Sequence, residues 1–426
     1  MNDHEREGGR GLTGLGGLSA SWGTTLAWAA YLGVSWTWCI GMYLPVLLRR
    51  DFGDWSFLVF AVPNIVGAAL LGWVCARPGA SERLVSGHRP AMRLFSAVTL
   101  SFQVFFALWM LWGNLAAREW TGAAVVAAGL GASGAITFAA ARHARRMRLW
   151  SVLLWCVSAA LALGWVFVLA ERTAPVARVV GELHSGAPTG LLLLMPVCAV
   201  GFLLCPYLDR TFHHARQQLH GAAGTRAFTI GFSVFFAAMI AFTLAYSGEL
   251  LGAARGTDQA LGPALGSIPV QLHIALQLGF TAMLHARWPR RDAPASPTVR
   301  VGIGVALAAA LGAFTLGALM PGHAGLSSFE VMYRLYLSFY GLVFPAYVWI
   351  CMIPAWREGG GQGGGQGGQE GGAPSMRSLI VWLAACAAAS PCFWMAFIAR
   401  ETVWAAPGIG LILLARLLVP RTASAR

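Results

Sequence analysis

Lysine is absent from the 426 residues, and charge of any kind is scarce: charged residues make up 11% against 57% hydrophobic ones. With a mean hydropathy of +0.63, that balance excludes an ordinary soluble domain. Acids are the scarcest charge, 17 Asp and Glu scattered mostly singly, so the converging carboxylates that acid–base catalysis needs are missing. There is no HxxxxD-like acyl-transfer arrangement and no phosphate-binding P-loop, and no enzyme is expected. The eight cysteines, Cys39, Cys75, Cys156, Cys198, Cys205, Cys351, Cys386 and Cys392, lack CxxC spacing. They read as small buried hydrophobes, with no metal site or disulfide framework. The net charge of +13 comes wholly from arginines that punctuate apolar runs instead of forming one basic face, which argues against a nucleic-acid partner.

What is present is a series of long apolar runs. Several exceed the roughly 18–20 residues that a helix needs to cross the hydrocarbon core, and none shows the alternation of barrel strands. The reading is an all-α polytopic membrane bundle with spans at 24–48, 54–76, 92–116, 121–141, 149–170, 188–207, 226–246, 266–286, 301–320, 328–352, 376–398 and 403–420. Arginines test the count, because cytoplasmic connections are enriched in them. Connections after even-numbered spans carry groups such as Arg77, Arg83, Arg89, Arg93 and Arg142, Arg145, Arg146, Arg148. Those after odd-numbered spans carry at most two: Arg49 and Arg50, Arg118, Arg172 and Arg178, Arg255, none after span 9, and Arg400. Twelve spans with both termini cytoplasmic, in a plasma or inner membrane, satisfy the alternation.

The expected organisation is a cytoplasmic tail (1–23), a first five-helix repeat (24–170), an outer loop (171–187) and a second repeat (188–352). A Gly-rich cytoplasmic linker (353–375), a C-terminal helix pair (376–420) and a short tail (421–426) follow. In transporters built from inverted repeats, substrate binds where matched helices unwind and expose backbone groups. Span 1 holds Gly33, Ser35, Thr37 and Gly41 near its middle, and span 6 holds Pro196 and Gly201. The two run in opposite directions, five spans apart, as an inverted five-plus-five repeat requires.

Two stretches carry a family resemblance. Tyr207–Leu208–Asp209–Arg210–Thr211–Phe212–His213–His214–Ala215–Arg216 is similar to the aromatic–Asp run that ends the sixth core helix of sodium:solute symporters. WTWCIGMYLPVLLRRDFGDW, residues 36–55, resembles the first core helix and its outer turn. The chain thus resembles the amino acid–polyamine–organocation superfamily, with the leucine-transporter fold, and most nearly its sodium:solute symporter branch. The resemblance implies a secondary transporter for a small organic solute, working by alternating access around spans 1 and 6. It departs from that branch in span 8, whose hydroxyls, Ser267 and Thr281, lie too far apart to share a sodium ion. No cofactor is expected, and coupling to Na+ or H+ stays open.

Polar residues at membrane depth complete the candidate site: Gln103 on span 3, and on span 8 His273 with Gln277 one turn away. Asp209 and Arg210 read as a cytoplasmic gate or helix cap just past the membrane exit, where charge regains water. His213 and His214 are adjacent, hence about 100° apart on a helix, and are not expected to share a metal. Glu330 and Arg334, spaced i,i+4, read first as a structural ion pair beside an interfacial belt of Tyr333, Tyr336, Tyr340 and Tyr347, and second as an outer gate. The expected partners are a small-molecule solute and the lipid bilayer, and no protein partner is identifiable. Three alternatives remain. A major-facilitator transporter would place its main linker after span 6, not after span 10. A non-transporting sensor or scaffold lacks an appended signalling domain. An integral-membrane enzyme lacks its acids.

Overall fold

The computed structural model describes residues 21–172, 188–254, 264, 266–292, 297–355 and 373–419. Most of the N-terminal tail, the 171–187 loop, the Gly-rich linker and the tail from 421 lie outside the described residues. Among those described there is no strand, only an isolated bridge between His323 and Leu326. All twelve expected runs are helical. Nine are long and apolar enough to cross a membrane, and the bent pair Trp22–Trp36 and Cys39–Phe52, angled at 55°, would make a tenth if it is one span. The other two fall short for separate reasons. Ile268–Asp292 is long but carries Gln271, His273, Gln277 and His285, and Thr402–Leu418 is short. The molecule is an integral membrane helical bundle.

Burial sorts the helices. Span 3, Arg89–Ala116, is 67% buried and runs through the middle, whereas span 9, Pro297–Leu319, is 17% buried and presents Val301, Val305 and Leu311 outward. An apolar residue facing lipid costs nothing, so a peripheral span needs no partner on that side. Span 7 runs from Gly221–Ile230 through a π-helical stretch, Gly231–Phe236, into Ala237–Ala254. That stretch crosses the first arm of span 1 closely. A Cβ on Gly33 would sit 2.7 Å from the Phe235 Cβ, and one on Gly231 would sit 2.9 Å from the Ala29 carbonyl oxygen. Gly33 therefore serves close helix crossing, not the unwinding expected of it.

Span 6 also departs from expectation. Its helix, Pro188–Leu204, is continuous through both Pro196 and Gly201. Membrane helices tolerate proline because neighbouring groups re-satisfy the backbone it frees. Gly201 packs against span 10, where a Cβ would lie 3.0 Å from the Tyr340 carbonyl oxygen. The interruption comes later, in a 3-10 turn, Cys205–Leu208, followed by extended Asp209 and a short helix, Arg210–Gln218.

Candidate functional site

Span 1 breaks at Thr37 and Trp38, and its loose carbonyls are taken up locally. Ser35 Oγ donates to the Leu32 oxygen at 3.1 Å, Thr37 Oγ1 to the Gly33 oxygen at 2.9 Å, and Trp38 Nε1 to the Ser35 oxygen at 3.0 Å. At the start of the second arm, Tyr333 donates to the Cys39 oxygen at 2.9 Å and Tyr246 to the Met42 oxygen at 2.5 Å. The expectation of open peptide groups is thereby corrected for these carbonyls, whereas the second arm starts at Cys39 with no side-chain cap on its amides. In a dry interior an unpaired carbonyl is costly, and side chains cover each of these oxygens.

The break faces the end of span 6. Trp36, Trp38, Ile40 and Gly41 surround a gap of about 10 Å³ with Asn64 of span 2, Phe202 and Cys205 of span 6, and Tyr340 of span 10. That is barely room for one water. Trp36 donates to Asn64 Oδ1 at 2.6 Å, and the Cys205 thiol donates to the Tyr340 oxygen at 3.2 Å. Trp38 meets Phe95, His285 and Tyr340 edge-on at 5.4–5.8 Å between ring centroids. Beside this gap lies a cavity of about 260 Å³ between the second arm of span 1 and spans 6, 10 and 11; Ile40, Phe202 and Tyr340 line both.

Charged residues close one end. Arg50 donates to both oxygens of Glu330, at 2.8 and 2.5 Å, and to Asp51 at 3.0 Å. Arg334 reaches Glu330 Oε1 at 2.8 Å, Asp51, and the Phe397 carbonyl oxygen at 2.9 Å. Arg400, in the left-handed region at φ 66°, adds a contact to Asp51 at 3.2 Å. Sequence spacing exposed the Glu330–Arg334 pair; its partners Arg50, Asp51 and Arg400 carry no local signal.

At the other end, the short helix Arg210–Gln218 latches onto the helix Ala80–Gly87. His213 Nδ1 lies 3.0 Å from Ser81 Oγ and its Nε2 lies 3.0 Å from the Tyr207 oxygen, while Gln217 donates to Ser81 Oγ at 3.2 Å. Arg216 donates to the Ala76 oxygen at 3.0 Å. Burial pushes His213 down to about 4, aided by nearby Arg210, against the raising effect of its bond to the Tyr207 backbone. His88, 2.9 Å from the Tyr347 hydroxyl, is pushed by burial to about 4 as well.

Asp209 does not regain water, because it is fully buried. It does cap the helix: the Thr211 amide donates to Oδ1 at 2.7 Å, while Oδ2 has no partner. Burial raises its carboxyl to about 7, against the lowering effect of the Thr211 bonds.

The remaining expected residues scatter. Gly41 borders the gap, with ordinary contacts to Phe236 and Ile240 available to a Cβ, and Pro196 is exposed. His273 packs edge-on against Phe242, with both ring nitrogens unpartnered, whereas Gln277 donates to Ser158 Oγ of span 5 at 2.9 Å, so the two serve different neighbours. Gln103 is buried with its amide unpartnered. The tyrosines of span 10 are no interfacial belt. Tyr333, Tyr336, Tyr340 and Tyr347 are buried and bond to the Cys39 oxygen, Ser101, Thr99 and His88 in turn. Asn64 was missed, although a lone amide in an apolar span is itself a signal. No group of three or more His, Cys, Asp or Glu able to hold a metal occurs among the described residues.

No family model and no curated protein matches the chain. Among solved structures it is similar to a nucleobase-cation-symport-1 family transporter in a closed conformation with bromovinylhydantoin bound, at 14% identity over 94% of each chain and a TM-score of 0.49.

Proposed function

We propose that this chain is a secondary transporter that moves a small organic solute by alternating access, with spans 1–5 and 6–10 as inverted repeats and the last two spans as an addition. In this reading both termini are cytoplasmic and the solute sits where span 1 bends, against Trp36, Trp38, Asn64 and Tyr340. One observation carries the reading. The bend lies between two separate closures, the ion cluster around Glu330 at one end and the His213–Ser81 latch at the other. A hinge shut at both ends is what an occluded intermediate of a carrier requires.

H+ is the coupling ion we favour. The hydroxyls of span 8, Ser267 and Thr281, lie too far apart along the chain to share one cation, which weakens a cation cage there. Asp209 offers a buried carboxyl with one free oxygen beside the site.

Purified protein in proteoliposomes, given a panel of labelled solutes with and without imposed H+ and Na+ gradients, tests the proposal. We expect accumulation of at least one solute driven by the H+ gradient, reduced at least tenfold in Trp38→Ala and in Gly41→Leu. Saturable binding without flux of any solute would turn the reading toward a sensor, and unchanged uptake in both variants would move the site elsewhere.

A further inference from the structure

The 260 Å³ cavity is far larger than the gap at the bend and chemically unlike it. Its walls are Leu44, Leu47, Leu194, Val197, Leu335 and Phe393, with others of the same kind. Apart from the weakly polar Cys198 thiol, the polar side chains on its surface are already committed, Tyr340 to Thr99. Ser338 Oγ donates to the Leu335 oxygen at 2.6 Å, Ser390 Oγ to the Cys386 oxygen at 2.7 Å, and Arg334 to Glu330, Asp51 and the Phe397 oxygen. A charged guest would lose its hydration and find nothing in return.

The way in is equally marked. Arg334 forms part of the wall and belongs to the ion cluster, which stands between the cavity and water at that end. Ser390 and Trp394, one helical turn apart on the lining face of span 11, are exposed. They lie in the last two turns of Met376–Phe397, a helix of membrane-crossing length, so the opening is on the outward face of that span toward the end that meets the ion cluster through Phe397. From there the cavity leads to Ile40, Phe202 and Tyr340, which also line the gap at the bend.

Resting on the transporter reading, we infer that this cavity is a second site, distinct from the place where the carried solute sits, and that it takes an uncharged apolar ring compound entering sideways from the hydrocarbon layer. An apolar cavity of about 150 Å³ stays dry and takes benzene. At about 260 Å³ this one suits two fused rings.

The test is binding of radiolabelled naphthalene to the full chain in nanodiscs, with empty discs subtracted. Wild type should bind saturably, and Val197→Trp, which fills the cavity, should weaken binding at least tenfold. Ser390→Trp, at an exposed position that tolerates bulk, should slow association at least tenfold, whereas Leu311→Trp on lipid-facing span 9 should change nothing. Naphthalene-2-sulfonate should not compete. Absence of saturable binding, equal affinity in Val197→Trp together with equal rates in Ser390→Trp, or displacement by the sulfonate would each overturn the inference. Flux separates the two ideas: naphthalene binding without transport of any solute sinks the carrier, and transport of a charged solute without naphthalene binding sinks only the apolar ligand.

Discussion

The ion cluster turns on one carboxylate. Glu330 is 3% exposed and accepts from both Arg50 and Arg334, whereas the side chain of Arg400 is 43% exposed and makes a single contact. Removing a buried partner strands charge in a dry place, at about 3–5 kcal/mol, while an exposed pair is worth about 0–1 kcal/mol. Glu330→Ala should therefore lower the thermal unfolding temperature in detergent by several degrees, and Arg400→Ala should barely move it. Equal effects would show that the cluster is held by something other than Glu330. Half of this was visible in the sequence, because Glu330 and Arg334 are helical neighbours. Arg50 lies 280 residues away, and only folding brings it near. The tyrosines above the cluster misled for a related reason: tyrosine suits both an interface and a core, and only Thr99, Ser101 and His88 on facing elements decide between them.

Among elements, the stretch from Cys205 to Gln218 departs furthest from its sequence. Its charges suggested exit into water, yet the turn buries Asp209 and the helix buries His213. The two titrate with opposite sign. His213 is depressed to about 4, so its contribution to stability is complete above its ordinary 6.5 and drains as the pH falls toward 4. Asp209 is raised from 3.8 to about 7, so its contribution is complete below 3.8 and drains as the pH rises through 7. At about 1.4 kcal/mol per tenfold in proton affinity, ionised Asp209 costs the fold on the order of 4 kcal/mol at pH 8. Asp209→Asn keeps a good helix cap and should raise the unfolding temperature at pH 8 but not at pH 4. In that background, adding His213→Gln should reduce the remaining loss between pH 6.5 and 4, with His88 among the buried histidines that still titrate there. A destabilised Asp209→Asn at pH 8 would mean that the carboxylate has an unseen counter-charge.

At the scale of the whole molecule, lipid wrote most of the plan into the sequence. A span must be apolar over its full length, so all twelve helices were legible, and only the polar span 8 and the short span 12 miss the criteria for crossing. The cavity was not legible, because four separated helices build it and each contributes ordinary leucine, valine or phenylalanine. What those helices leave unsolved is how the bend in span 1 ever meets water, since both ends are shut. Native Cys205, 2% exposed beside the bend, reports on this. With exposed Cys156 and half-buried Cys392 replaced by serine, a water-soluble maleimide should leave Cys205 of the wild type unlabelled. Glu330→Ala should admit the reagent from the Arg50 end alone, and Ser81→Ala with His213→Gln from the opposite end alone, when it is supplied to one side of oriented vesicles. Access from both sides in either variant would make the two closures a single static plug, because a carrier must be able to open one end while the other holds.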